Sequence, residues 1–315
     1  MKETPFIPNI VTLSPTMDIE ELHAVAQGWD AQLHQLTKQR VQVGIKMFHT
    51  PHMQYAQELY SGSYLLRGAF PKGCVVIALV RSAEIVAFQN RVVEKNELMV
   101  LFSGDDLDVV FNGKHQVFSL TVEEAYFKEA FMHYFNREVE EMITSERLFM
   151  KNERVDRYVN HMHSWLNYFM QKDPREVTFR EFLYIERQIL HDLFSSVHLQ
   201  DEVSHNGRFV IPKAREMLHA SMENDLSIAQ IAHDLGVSVR TLQHHFKNEL
   251  GVTPKQYLQS LRLNAIYEEL LRASEKEVMV SDIAYKYNYY HLGHFATEYK
   301  QMFGENPSQT LRRTL

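Results

Sequence analysis

Between about residues 40 and 120, hydrophobic and polar side chains alternate with a period of two. Val41, Val43, Ile45 and Met47 are separated by Gln42, Gly44 and Lys46, and Leu107, Val109 and Phe111 are set off by Asp108 and Asn112. Successive side chains of a strand point to opposite faces, so this pattern predicts strands with one buried side. Turn-forming residues separate the runs at Ser61-Gly62, Pro71-Lys72-Gly73, Gly104-Asp105-Asp106 and Asn112-Gly113. Short strands at such spacing predict an antiparallel barrel or two-sheet roll. Val75 to Val80 is apolar on both faces, as a central strand would be. Ahead of the roll, Asp18 to Leu36 sets Leu22, Val25, Ala26, Trp29 and Leu33 on one stripe, which predicts an amphipathic helix.

From Thr121 the period becomes 3.6. Thr121-Val122-Glu123-Glu124 has the form of a capping box, and an aromatic-rich helix follows through Phe127, Phe131, Tyr134 and Phe135. Two further helices are expected at about 152–172 and, after Asp173-Pro174, at about 178–197. An amphipathic helix must bury its stripe, either on the roll or on another subunit. The three stripes exceed what a roll of this size is expected to cover, so a homodimer is expected. Polar residues Gln200 to Gly207 form the candidate linker between a domain at 1–200 and one at 205–315.

With 315 residues, two domains are the default. The longest apolar run, Cys74 to Val80, is too short to cross a bilayer, and the first residues lack the apolar core of a secretory peptide. A single cysteine, Cys74, can form neither an internal disulfide nor a cysteine zinc site, which fits a cytoplasmic protein. The net charge of −7 is unevenly placed. Residues 1–204 carry 20 Lys and Arg against 28 Asp and Glu, while residues 205–315 carry 13 against 12 and hold 7 of the 17 histidines. A tail this close to neutral binds nucleic acid only if its charges are well placed.

After Ile211-Pro212 only helical patterns follow. Residues 228–246 have the layout of a helix-turn-helix: the first helix ends at Leu235, Gly236 supplies a left-handed turn, Ser238 caps the second helix, and Leu242 with Phe246 packs it down. The layout recurs about 52 residues later. Ile283-Ala284 repeats Ile231-Ala232, Phe295 and Tyr299 repeat Leu242 and Phe246, Lys300 repeats Lys247, Phe303-Gly304 repeats Leu250-Gly251, and Asn306-Pro307 repeats Thr253-Pro254. A helix at about 254–272 joins the copies. Two such units can enter successive major grooves.

These ordered tokens, with Arg240-Thr241-Leu242, Tyr257, Arg262-Leu263 and Pro307-Ser308, make residues 211–312 resemble the AraC/XylS family of bacterial transcription regulators. The resemblance implies an α+β protein of two domains. A cupin-like β-roll with trailing helices would sense an effector or dimerise, and an all-α domain of two helix-turn-helix units would bind double-stranded DNA, with RNA polymerase as a further partner of an activator. No catalytic residue, cofactor or metal is expected. The chain departs from the family pattern at His244, where arginine is common. In the second unit Asn288 replaces a turn glycine, Tyr289 a phenylalanine, Gly293 a small hydroxyl residue and Thr297 an arginine.

The candidate DNA-binding residues are Ser238, Arg240, Thr241, Gln243, His244 and Lys247 in the first unit and His291, Gly293, His294, Thr297 and Lys300 in the second. Arg240, Gln243, His244 and Lys247 recur at helical spacing on one face, and arginine can pair with guanine and glutamine with adenine. The first unit is therefore expected to carry most of the base reading. Lys247, Lys255, Lys286, Lys300 and Arg312 are candidates for phosphate contact. Arg67 and Arg81, on apolar strands, are candidate anchors for an anionic effector, against the plainer readings of an edge position or an internal ion pair. His49 and His52 lack the His-X-His spacing of a cupin metal site, and His115 stands alone. A cupin-type enzyme with a helical appendage is the competing class.

Overall fold

The computed structural model describes residues 5–13, 27–38, 41–82, 84–89, 91–139, 146–172, 176–201, 210–224, 227–273 and 278–313. The fold is mixed, with a β-rich N-terminal region and a helical C-terminal region. Two antiparallel sheets face each other. The six-stranded sheet runs β1 (Asn9–Leu13), β3 (Gln42–His49), β4 (Met53–Ser61), β11 (His115–Glu123), β6 (Cys74–Ser82), β9 (Leu98–Leu101). The five-stranded sheet runs β2 (Asp30–Gln35), β5 (Tyr64–Ala69), β10 (Leu107–Phe111), β7 (Val86–Phe88), β8 (Arg91–Val92). Loops fall at each of the four turn signals, with Gly62, Gly73, Gly104 and Gly113 at positive φ. Gly68 has a different reason. At φ 137° it lies so close to β2 that a Cβ would sit 2.3 Å from the Asp30 carbonyl oxygen.

Alternation sorts each strand between two cores. On β4, Met53 and Tyr55 face outward, while Ala56 and Tyr60 face the space between the sheets. On β11, Phe118, Leu120 and Val122 face outward and Val117 inward. The outward residues of the six-stranded sheet pack beneath three helices: α1 (Glu124–Phe135), α2 (Val155–Gln171) and α3 (Phe179–Ser196). Their stripes, including Phe127, Phe131, Val159, Met162, Leu166, Ile189 and Phe194, are thus covered within one chain. A small ribbon of β12 (Glu146–Met150) and β13 (Val197–Asp201) flanks them.

Two expectations are corrected. Asp30–Gln35 is a strand, paired with β5, and not the end of a helix. Trp29 and Leu33, which fit a helical stripe at i and i+4, also share one face of a strand with Ala31, and the tertiary core selected the second period. Leu22, Val25 and Ala26 lie outside the described residues. Thr121 is likewise not a helix cap. It is buried in β11, and α1 starts after Glu123 without a side-chain cap. A capping box does form at Thr178, whose hydroxyl accepts from the Glu181 N–H at 3.3 Å while Glu181 accepts from the Thr178 N–H at 2.7 Å.

The helical region consists of α4 (Val210–Ala220), α5 (Ile228–Asp234), α6 (Val239–Leu250), α7 (Pro254–Arg272), α8 (Val280–Lys286), α9 (Leu292–Phe303) and α10 (Pro307–Leu311). α7 serves two cores: Tyr257, Leu258 and Leu261 join α4, α5 and α6, while Leu263, Ile266 and Leu270 join α8, α9 and α10. The first of these cores continues into the roll through Leu36, Leu65, Ala87 and Val110 on the outer face of the five-stranded sheet.

Candidate nucleic-acid interface and an internal cavity

The first helix pair is built by local rules. Ser227 caps α5, accepting from the Gln230 N–H at 3.1 Å, and Ser238 caps α6, accepting from the Thr241 N–H at 3.0 Å. Between them Gly236 takes φ 67°, where an L side chain would be strained. Leu242, Phe246 and Leu250 are fully buried. Their burial leaves Arg240, Thr241, Gln243, His244 and Lys247 exposed on the other side of α6. His244 Nε2 lies 2.9 Å from Asn248 Nδ2, and Lys247 Nζ donates to the Gly251 carbonyl at 2.8 Å, covering the helix end. Arg240 and Gln243 thus stand on a rigid helix, with a guanidinium and an amide able to engage base edges.

The second pair differs in each of these respects. Asn288, at φ 65°, takes the turn position that Gly236 fills in the first. α9 begins after His291 with no side-chain cap. Phe295, Tyr299 and Met302 are buried, and His291, Gly293, His294, Thr297 and Lys300 are exposed. Thr297 donates its hydroxyl proton to the Gly293 carbonyl at 2.9 Å, so its best donor is already used. His294 lies 3.6 Å from Glu298. Around the turn the exposed surface is apolar, with Tyr290 65% and Tyr285 44% exposed. Among the phosphate candidates, Lys286 pairs with Glu269 of α7 and with Glu223, which follows α4, at 3.4 Å, and these carboxylates hold its pKa up, so it serves the fold.

Neither arginine proposed for an effector lines the space inside the roll. Arg67 lies on the outer face of β5, where it donates to Asp108 at 2.9 Å and meets the His219 ring of α4 at 2.9 Å. Arg81 is half exposed and pairs with Asp156 at 3.3 Å. His49 Nε2 lies 2.8 Å from Gln54 Oε1, and His52 Nδ1 lies 2.9 Å from Glu186 Oε2. The bond to Glu186 raises the His52 pKa, whereas burial lowers that of His49 to about 4. His115 is stacked on Phe111 at 4.5 Å and on Tyr60 at 5.2 Å.

Between the sheets lies a cavity of about 90 Å³. Its wall is mostly apolar, with Met47, Val76, Met99 and Val109 among its residues, and its polar members include Gln54, Glu58, Tyr60, Tyr64 and Ser119. Glu58 Oε2 accepts from the Tyr60 hydroxyl and Oε1 from the Ser119 hydroxyl at 3.0 Å. Burial pushes this carboxyl above the ordinary range, against the pull of the two hydroxyls. A strand-by-strand reading could have marked Glu58 as the charged residue at an inward position of β4, but only with the register known.

A polar cluster on the other side of the five-stranded sheet was also invisible in the sequence. Asp108 accepts from both Arg67 and Arg215, Arg215 Nε donates to the Tyr257 hydroxyl at 3.0 Å, and that hydroxyl lies 3.1 Å from His219 Nε2. Burial, with the charges of Arg67 and Arg215 close by, lowers His219 to about 3. Burial and Arg67 likewise lower His34 to about 4, so its 3.8 Å contact with Glu268 is not an ion pair at neutral pH.

Residues 231–313 match the family model of a helix-turn-helix domain. Over 103 residues, 33% of this chain, the sequence is 42% identical to the probable thc operon regulatory protein of Rhodococcus erythropolis, covering 31% of that protein. Over 129 residues, 41% of the chain, it is 30% identical to the XylDLEGF operon transcriptional activator of Pseudomonas putida, covering 40% of it. The matches therefore span less than half the length of these curated relatives. A solved structure of a probable AraC family transcriptional regulator from Rhodopseudomonas palustris is 27% identical, covering 34% of this chain and 98% of that one, with a TM-score of 0.32. With its capped helices and glycine turn, the segment 231–313 is a helix-turn-helix domain similar in sequence to those of these operon regulators.

Proposed function

We propose that this protein is a sequence-specific DNA-binding transcription regulator and not an enzyme, with residues 205–315 reading DNA and residues 1–200 sensing a small molecule. The observation that carries the reading is the exposed face of α6, where Arg240, Gln243, His244 and Lys247 stand opposite a fully buried Leu242, Phe246 and Leu250. The relatives' names, an operon regulatory protein and an operon transcriptional activator, support the same reading, and RNA polymerase is the further partner that this reading implies. α8 and α9 act as a second helix-turn-helix unit, which α7 holds beside the first, and the N-terminal roll is cupin-like. Ser238 and Thr241 position the first recognition helix through its cap. His291, Gly293, His294, Thr297 and Lys300 make the weaker contacts of the second. The protein works in the cytoplasm as a homodimer, for which Phe179 and Tyr184 of α3, 54% and 63% exposed, supply apolar surface.

The test is a gel shift on the DNA upstream of the protein's own gene. Arg240→Ala should cost about 1 to 3 kcal/mol and relax one operator position, while Thr297→Ala should change affinity little. An Arg240→Ala variant with unchanged sequence preference, beside a Thr297→Ala variant that has lost it, overturns the assignment.

A further inference from the structure

The cavity inside the roll has a composition that selects its occupant. Among the described residues, no lysine or arginine lines it, one carboxylate does, and five aromatic side chains surround it: Trp29, Tyr60, Tyr64, Phe88 and Phe111. An anion would meet Glu58 with no compensating cation. A purely apolar molecule would leave the carboxylate facing a dry space. A cation or a hydrogen-bond donor would satisfy it, and aromatic faces attract cations through their negative quadrupole.

We infer that the cavity is the binding site for a compact, single-ring-sized organic amine, held by its ammonium group on Glu58 and by its apolar body among the aromatic and aliphatic walls. This rests on the reading of residues 1–200 as a small-molecule sensor, and it names the chemical class that the sensor takes. Each carboxylate oxygen of Glu58 already accepts one hydroxyl proton, from Tyr60 and from Ser119, and retains a further lone pair for a ligand N–H. Burial raises the pKa of this carboxyl, and an ammonium beside it would oppose that shift.

Size sets the upper limit. The cavity, at about 90 Å³, is smaller than the roughly 150 Å³ apolar cavity that admits benzene. Met47 and Met99 line it, and unbranched methionine side chains turn readily to admit a ring. A fused-ring or long-chain amine would have to separate the sheets.

The same wall explains how occupancy reaches the helical region. β5 places Tyr64 and Leu66 on the cavity side and Leu65 and Arg67 on the side that meets α4, α6 and α7. β10 does the same with Val109 and Phe111 against Asp108 and Val110. A single sheet thus carries ligand contacts on one face and contacts to the DNA-reading region on the other.

The test is isothermal titration of the full-length chain at pH 7, without DNA, using benzylamine, benzyl alcohol and benzoate as probes of one size. Benzylamine should bind at one site per chain, benzyl alcohol about tenfold or more weakly, and benzoate with no measurable heat. Glu58→Gln, close to isosteric, should weaken benzylamine about tenfold or more and leave benzyl alcohol nearly unchanged. The three-probe series on the unmodified chain stands alone if that variant misfolds. Benzoate binding as tightly as benzylamine overturns the proposal, and so does the absence of saturable heat from benzylamine. The two readings fail separately. Lost amine binding with an intact gel shift removes the ligand class only, whereas amine binding without any DNA shift removes the regulator reading and leaves the site.

Discussion

The roll closes its two outer faces with different chemistry. Over the six-stranded sheet, α1, α2 and α3 build a continuous aromatic core in which Phe194 meets Phe127 at 5.5 Å and Phe131 at 5.8 Å. One polar pin reinforces it: Glu186, fully buried on α3, accepts from the Thr50 hydroxyl at 2.6 Å and the His52 N–H at 2.9 Å. Over the five-stranded sheet, the described buried apolar residues of the roll in the shared core are Leu36, Leu65, Ala87 and Val110. The rest of that contact is polar, made of Asp108 with Arg67 and Arg215, His34 and His219, and Gln35 with Asn264. An aromatic core cannot open without exposing apolar surface, whereas polar groups can exchange their partners for water at small net cost. The first face therefore belongs to the fold, and the second is a seam that can open.

Breaking the first face should have the largest effect. Phe194→Ala is expected to cost about 3 to 5 kcal/mol, seen as a lower denaturant midpoint for the β-rich region. If Phe194→Ala cost no more than substitutions in the seam, the contrast would be lost.

Acid should sharpen the comparison. His34 and His219 have folded pKa values of about 4 and about 3, so between those values and the unfolded 6.5 the undocked form binds more protons. The seam is then strongest above pH 6.5 and weakens as pH falls toward 4, by up to about 1.4 kcal/mol per pH unit for each histidine. His52 has the opposite sign. Its raised pKa gives the helix-covered face a contribution that is complete below 6.5 and lost as pH rises through the folded value. Hydrogen exchange at pH 5 and 7 should show α4 and α7 losing protection in acid before α3 does, and His34→Gln with His219→Gln should reduce that difference.

Asp108→Ala comes next. It removes the shared acceptor of Arg67 and of Arg215, which is only 5% exposed in its side chain. A cost of about 1 to 3 kcal/mol is expected, read as faster exchange in β5, β10 and α4 with the aromatic core unchanged. Asn264→Ala should do least, about 1 kcal/mol. Its amide meets the Gln35 backbone at 3.1 Å and 2.9 Å, completing the edge strand β2 as a neighbouring strand would. Faster exchange at Gln35 alone is the expected signature.

Local physics made much of the molecule legible. Val43, Ile45 and Met47 had to share a strand face once period two was recognised, and the four turns carried glycine where positive φ was needed. Ser238, Gly236, Leu242 and Phe246 specify a capped, turned and packed helix from neighbours within ten residues. The exposed face of α6 follows from the same spacing. Asp30–Gln35 was misread because Trp29 and Leu33 fit two periods, and only pairing with β5 decides between them.

What the sequence determines by itself, then, is whatever rests on contacts within a few residues: strand and helix periods, caps, turns and the helix-turn-helix with its outward polar face. Tertiary structure decided the roles of Arg67, Asp108 and Glu58. Each sits on a strand, and the partners that define them lie 41, 107 and 61 residues away along the chain for the Arg67–Asp108, Arg215–Asp108 and Ser119–Glu58 bonds. Burial gives a charged group its meaning, and burial is set by which sheet face meets which neighbour. No local pattern encodes that choice.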